Sequence, residues 1–250
     1  MQRFFLLPEQ TRDDLLTLTE REAHHALNVL RVQPGDAVTV LNGQGEKISC
    51  QVAELRRKEV RLRVVHREQA SPRPWPITLI QALPKGKTFD TIVQKATELG
   101  AGRIIPLLSQ RVVSHVDDDR SASKLEHWRA IAIESVKQCG SPWVPALDAP
   151  ATLPQLLSRL PASPLRLVAS LRPNARHPRA IIQPVLSQSE NAKAGIQVFV
   201  GPEGDFTDDE LQCLENAGAQ PVSLGSLVLR ADTAAIYALS MLNYEIDALQ

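Results

Sequence analysis

Three prolines fall within the five residues Pro72-Arg73-Pro74-Trp75-Pro76. Each ring fixes its own φ, removes an amide donor and pushes the preceding residue toward extended backbone. No helix can cross such a segment, and the hydrophobic rhythm differs on its two sides. The break is therefore read as a domain boundary, with residues 1–71 before it and 72–250 after it.

Ahead of the boundary the pattern is one of short strands and tight turns. Ala37 to Leu41 reads as a strand, Asn42-Gly43-Gln44-Gly45 as a hairpin turn, and Lys47 to Glu54 as the returning strand. Val60, Leu62 and Val64 alternate with Arg61 and Arg63, the period of a half-buried strand. Glu20 to Leu30 predicts a helix with Ala23, Leu27 and Leu30 on one face, and Pro34-Gly35-Asp36 a tight turn. About 70 residues of this kind suit a small β-barrel.

Beyond the boundary strands alternate with helices. Strands are expected at Ile77–Leu83, Arg103–Leu108, Leu165–Ala169, Ile196–Val200 and Pro221–Leu224. Helices are expected from a Thr88 cap to Leu99, with Gly100 as the stop, then over Ser121–Cys139 and Ala231–Leu249. Thr207 and Glu210 form a T-x-x-E capping box, which opens another helix to Ala217. This alternation implies a mostly parallel α/β sheet. Residues 146–163, rich in Ala and Pro, read as a connection.

Composition narrows the function classes. The 250 residues are 43% hydrophobic and 22% charged, enough apolar material for a sizeable core. Lys plus Arg number 28 and so do Asp plus Glu, which excludes a globally basic nucleic-acid binder but leaves room for a local basic face. Cys50, Cys139 and Cys213 lie far apart with no CxxC pair, against a zinc ribbon or disulfide framework and in keeping with a reducing cytosol. No apolar run approaches the ~20 residues of a membrane span, and the apolar start is too short for a signal core. A soluble cytoplasmic protein is expected.

Several motifs carry less than they promise. Gln81 to Thr88, QALPKGKT, ends like a P-loop but has Gln81 where that loop needs its first glycine. His24 and His25 are adjacent, so they cannot share a helix face, and no other His or Cys sits at ligand spacing; no metal site is expected. His66, His115, His127 and His177 are isolated, and Asp117-Asp118-Asp119 reads as a solvated loop.

Two late segments are unlike ordinary loops. In Val198-Phe-Val-Gly-Pro-Glu-Gly-Asp-Phe206 a buried-type strand runs into a turn with two glycines, which permit close approach of a ligand to main chain. Glu203 then stands at the carboxyl end of a strand, where open α/β sheets bind ligands. In Val222-Ser-Leu-Gly-Ser-Leu-Val-Leu-Arg-Ala-Asp-Thr-Ala-Ala235 a single cation, Arg230, stands between leucines and a helix of small residues. It is either the ion-pair partner of Asp232 or a ligand contact.

GPEGDF followed by SLGSLVLRADTA resembles the RsmE family of SPOUT methyltransferases. The resemblance extends over nearly the whole chain. It includes Arg3-Phe4-Phe5, His24-His25-Ala-Leu-Asn-Val-Leu-Arg31, Pro34-Gly35-Asp36, Asp90 to Gly100, Pro106, Trp128, Ile131 and Gln138-Cys139-Gly140. It implies a PUA-like β-barrel for RNA binding, ahead of a SPOUT-type α/β parallel sheet with a C-terminal trefoil knot. It further implies S-adenosylmethionine as cofactor, homodimers, and methylation of N3 of one uridine in 16S ribosomal RNA.

Carried over residue by residue, the resemblance puts the cofactor near Leu171, Val200, Gly201, Glu203, Gly204, Leu224, Gly225, Leu229, Arg230 and Thr233, with Arg230 and Glu203 catalytic. RNA contacts are expected from Arg3, His24, Arg31, Arg56, Arg57, Arg61 and Arg63. From Glu54 to Arg67 six cations (Arg56, Arg57, Lys58, Arg61, Arg63, Arg67) face two anions (Glu54, Glu59), a local net of +4. The chain departs from the family pattern in having Asp205 for Gly, Leu227 for Arg, Asp232 for Glu, and Ser141 after the QCG segment. The other class these departures leave open is an RNA-binding or assembly protein with weakened chemistry.

Overall fold

The computed structural model describes residues 2–111 and 118–248, without the side chains of residues 118–120 and 189–191. The readings of His115 and Asp117 and the expected helix end at Leu249 lie outside the described residues. Asp118 and Asp119, expected in a loop, are helical, so the helix expected from Ser121 begins three residues earlier. The chain divides into two compact units, one of residues 1–72 with 133–144, the other of residues 73–132 with 145–250.

The first unit is built on a five-stranded sheet of order β1-β3-β4-β5-β2: β1 Gln2–Phe5, β2 Leu15–Leu18, β3 Ala37–Leu41, β4 Glu46–Arg56 and β5 Glu59–Gln69. All pairings are antiparallel except that of β1 with β3. Register shifts at Ser49/Cys50 and Val52/Glu54 bend the long β4–β5 ribbon, as extra residues in one strand do. Phe4, Leu16, Leu18, Val38, Val40, Ile48, Val60 and Leu62 form its core. The expected helix at Glu20 is regular only over α1 Glu20–His24; His25–Val29 is a π-helix.

The second unit is an all-parallel sheet of order β12-β10-β11-β6-β7-β8, with β9 paired to β7. Its strands are β6 Ile77–Ala82, β7 Arg103–Leu108, β8 Ala146–Leu147, β9 Ala151–Thr152, β10 Leu165–Ala169, β11 Ile196–Val200 and β12 Ala219–Val222. The helices are α2 Thr88–Glu98, α3 Asp118–Cys139, whose residues from Ile133 onward belong to the first unit, α4 Leu153–Arg159, α5 Pro178–Leu186, α6 Asp208–Asn216 and α7 Ala231–Asp247. Ile80, Ile105, Leu107, Val168 and Phe199 pack against Leu153 and Leu156 of α4 and Leu211 and Leu214 of α6. On the other face α7 packs on β6, β11, α2 and α5. A sheet covered on both faces needs strands that are apolar throughout, and all five residues of β11 are buried.

Three local expectations change. Thr88 is the first residue of α2, and Lys87, outside helical backbone at φ −99, ψ 8, is its cap position and makes no side-chain cap bond. The last strand is Ala219–Val222, two residues early, since its parallel ladder to β10 runs from Arg166↔Ala219 to Ala169↔Val222. Residues 146–163 hold β8, β9 and α4, the last opened by Thr152 with Gln155 as a capping box. The Thr207–Glu210 box is present in full.

Candidate functional site: a cleft at the carboxyl ends of three parallel strands

β12, β10 and β11 are neighbours in the sheet, and the chain leaving each of them contributes a wall of one cleft. β10 contributes its last residue, Ala169, then Ser170 and Leu171; β11 its last residue, Val200, then Gly201 to Glu203 and Asp205; after β12 come Leu224, Gly225 and Leu227 to Leu229; Ala231 and Ala234 of α7 close it. The cleft is open on one side, and its empty space of about 530 Å³ includes the solvent at its mouth. The walls are main chain and apolar side chains, and their charged members are Glu203 and Asp205.

The turn after β11 is held in place from several sides. The Asp205 amide donates to the Pro202 carbonyl at 2.9 Å. Asp205 adopts φ +63, a left-handed conformation in which Asp is better tolerated than most residues. Its Oδ1 accepts from the Phe206 amide at 2.7 Å. A Cβ on Gly201 would stand 3.1 Å from that Oδ1 and 3.2 Å from the Phe206 nitrogen, so glycine lets the turn fold back on itself. Arg111 donates to the Gly204 carbonyl. Fully buried Gln81 directs its Nε2 at the carbonyls of Ala82 (2.9 Å), Val200 (3.4 Å) and Gly201 (3.3 Å). Glu203 Oε1 accepts from the Lys85 amide at 3.1 Å, which ties the chain leaving β6 to the same turn. The residue that disqualifies QALPKGKT as a P-loop is thus a buried brace, and the Lys85 amide serves the turn.

The other walls are anchored as firmly. The Ser170 amide donates to the Val222 carbonyl at 3.0 Å, which pins the exit of β10 to the exit of β12. Arg172 pairs with Asp208 (2.6 Å) and Glu215 (3.6 Å) of α6. Gly225, at φ +111, takes the bend after β12.

Of the residues expected at a cofactor, Leu171, Val200, Gly201, Glu203, Leu224, Gly225 and Leu229 line this cleft together. Gly204, Arg230 and Thr233 are adjacent in the chain but are not in its wall. Arg230 is exposed at the cap position of α7. Asp232 Oδ1 accepts from the Thr233 amide, and Arg230 forms no ion pair with it or with any other acid among the described residues. Pro202, Leu227 and Val228, inside the ranges 201–204 and 224–230 expected at the cofactor, also line it, and the cleft further contains residues that sequence reasoning did not assign to the cofactor: Ala169, Ser170, Asp205, Ala231 and Ala234. The run of small residues opening α7 was the legible signal for Ala231 and Ala234. Leu227 and Val228 are 73% and 76% exposed, apolar side chains standing open at the cleft.

The residues expected to meet RNA all lie in the first unit. Arg57, Lys58 and Arg63 are exposed and without ion-pair partners among the described residues. Arg56 is bound to Glu54 at 3.0 Å, Arg61 approaches it at 3.8 Å, and this contact holds the Glu54 carboxyl below its usual range. Arg67 is a structural residue, donating to the carbonyls of Thr11 and Asp13 and paired with Glu46. Arg3 donates to the carbonyls of Lys137 and Gln138 at the end of α3. His24 and Arg31 are exposed, the latter at φ +51. Among the described residues no group of three or more His, Cys, Asp or Glu could hold a metal, and no helix is long and apolar enough to cross a membrane.

Residues 71–243 match the RNA methyltransferase domain family, and residues 18–65 match the RNA methyltransferase PUA domain. Ribosomal RNA small subunit methyltransferase E of Synechocystis is 37% identical over 96% of this chain and 77% of its own. The chain belongs to this family. The Bacillus subtilis member is 30% identical over 100% of this chain and 99% of its own. The Neisseria gonorrhoeae member, solved bound to S-adenosyl methionine, superposes with a TM-score of 0.85 at 29% identity and covers 98% of this chain and 97% of that one. Asp205 and Leu227, singled out in the sequence, both stand in the cleft wall.

Proposed function

We propose that this chain is a small-subunit ribosomal RNA methyltransferase that binds S-adenosylmethionine in the cleft and methylates N3 of a uridine. The observation that carries the reading is the cleft itself: three neighbouring parallel strands deliver their carboxyl ends to one space, within the part of the chain that matches RNA methyltransferases. The walls suit the cofactor. Exposed main chain at Gly201 and Gly225 can meet polar edges, Leu171, Leu224 and Leu229 can cover an adenine face, and two carboxylates face a space that would hold a cation. When bound, the cofactor supplies a methyl group already activated on a sulfonium.

The chain's own residues then have two tasks. The β10, β11 and β12 turns fix the donor's orientation, and alignment of this kind is worth up to ~7–11 kcal/mol in the best cases. Uridine N3 carries a proton near neutral pH, so negative charge must be stabilised on the uracil as that proton leaves. Arg230, exposed beside the cleft wall and free of ion pairs among the described residues, is available to this as a cationic donor. Glu203 acts on the turn through the Lys85 amide. Arg57, Lys58 and Arg63 offer RNA phosphates an exposed basic strip.

The same reading includes a two-fold dimer and the trefoil threading of the family. Support for the dimer comes from α7, where Thr233, Tyr237, Ser240 and Tyr244 fall at helical spacing on an exposed face. A ribosomal substrate implies action in the cytoplasm. Nucleoside mass spectrometry of small-subunit RNA from cells with and without the gene tests the whole. Loss of 3-methyluridine is expected, and an unchanged level refutes the assignment.

A further inference from the structure

We propose that Asp205 makes the cleft select the charged donor over its demethylated product. The inference rests on the cofactor assigned above. When the methyl group leaves, its bonding electrons stay on sulfur, and a sulfonium cation becomes a neutral thioether. Donor and product otherwise carry the same groups, so an electrostatic preference between them has to come from the field inside the cleft.

That field has one sign in the wall. The ionisable residues lining the cleft are Glu203 and Asp205, both acids. Two arginines near the wall are already engaged, Arg111 by the Gly204 carbonyl and Arg172 by Asp208 and Glu215. Arg230, between the wall residues Leu229 and Ala231, is exposed and unpaired among the described residues and belongs to the constant background against which Asp205 acts. Glu203 is partly spent on the Lys85 amide. Asp205 is set differently. Its Oδ1 accepts from the next amide along the chain, Phe206, and this fixes the carboxylate over Gly201 at the exit of β11. A carboxylate in the wall lies ~5–10 Å from a cation held in the cleft, close enough to act on it. At an effective dielectric between protein surface and water, that interaction corresponds to roughly fivefold to tenfold in affinity. Glycine at this position would leave this contribution out. The chain therefore holds its donor and sheds its product more readily than a cleft with glycine at this position.

Calorimetric titration of the full-length protein with S-adenosylmethionine and, separately, S-adenosylhomocysteine tests the inference. Asp205→Asn is the clean probe, because Asn tolerates the left-handed conformation and retains an oxygen for the Phe206 amide. It is expected to weaken S-adenosylmethionine roughly fivefold and to leave S-adenosylhomocysteine within about twofold of wild type. Asp205→Gly, unstrained at φ +63, should give the same loss of preference and carries the test if the Asn variant does not fold. An unchanged ratio of the two affinities in either folded variant overturns the inference while the cofactor assignment stands. A wild-type protein that binds neither ligand overturns both.

Discussion

Lys137→Met removes the cation at the centre of the most enclosed ion-pair cluster in the first unit. The Lys137 side chain is 6% exposed, and its Nζ lies 2.7 Å from Glu22 and 3.2 Å from Glu134. Glu22 is 14% exposed, Glu134 is 40% exposed and also meets Arg21. Methionine matches the stem of lysine, so the packing loss is small and the electrostatic loss dominates. Breaking a buried pair from one side costs about 3–5 kcal/mol, because the other charge stays behind. Here the charge left behind is Glu22, whose remaining bond is the Phe5 amide at 3.1 Å. Glu134 has solvent and Arg21, so its share falls in the range of surface pairs, below about 1 kcal/mol. The sum points to the low end, about 3 kcal/mol. Urea unfolding followed by far-UV circular dichroism reads this as a lower midpoint at unchanged slope. In Lys137→Met with Glu22→Gln the stranded charge is gone while the Phe5 amide keeps an acceptor, and more than half of the loss should return. Equal stability of Lys137→Met and wild type would refute the reasoning, as would a double variant no better than the single one.

Three further outcomes are expected. Arg230→Ala should lower the rate of methyl transfer at saturating cofactor by roughly 10²-fold or more while the calorimetric affinity for S-adenosylmethionine changes little, and full turnover would remove Arg230 from the chemistry. Gly201→Ala places a Cβ 3.1 Å from Asp205 Oδ1 and 3.2 Å from the Phe206 amide nitrogen, so cofactor affinity should fall about tenfold or more in a titration. Burial pushes the Cys50 thiol up to about 11, whereas Cys139 and Cys213 are exposed. A thiol reagent should therefore titrate two cysteines in the native protein and the third only on unfolding. Because the unfolded chain loses the Cys50 proton first, its contribution to stability should fall as pH rises from about 9 to 11, and Cys50→Ala should flatten that alkaline decline.

The strands that could be read residue for residue were those whose burial is dictated locally. Arg103–Leu108, Leu165–Ala169 and Ile196–Val200 are short apolar runs that water would penalise in any other arrangement. The capping box at Thr207 was equally plain, since its partners are three residues apart. What escaped depends on distant partners. Gln2–Phe5 becomes a strand by pairing with Ala37–Leu41, and Ala146–Leu147 is two residues long and exists only against Arg103 and Ile104. Pro178–Leu186 is helical despite Pro184, which sequence reading counts against a helix. The π-turn of His25–Val29 leaves no signature in hydrophobic spacing. At the cleft, the glycine turns were visible because their conformational freedom is written in the residue type. Asp205 and Leu227 stood out as departures from a pattern, but their place in one wall follows from strand order, which periodicity does not encode.

The first unit is not contiguous in sequence, because residues 133–144 belong with residues 1–72. Arg3 caps the carbonyls of Lys137 and Gln138, and Glu22 finds its counter-charge on Lys137. A fragment ended at the prolines would thus carry an enclosed acid with no cation and an arginine with no carbonyl to meet. During synthesis the ribosome must release some seventy residues past that point before the amino-terminal lobe can complete itself, so its folding is timed by the middle of the polypeptide. Anyone dissecting this protein should graft, not cut.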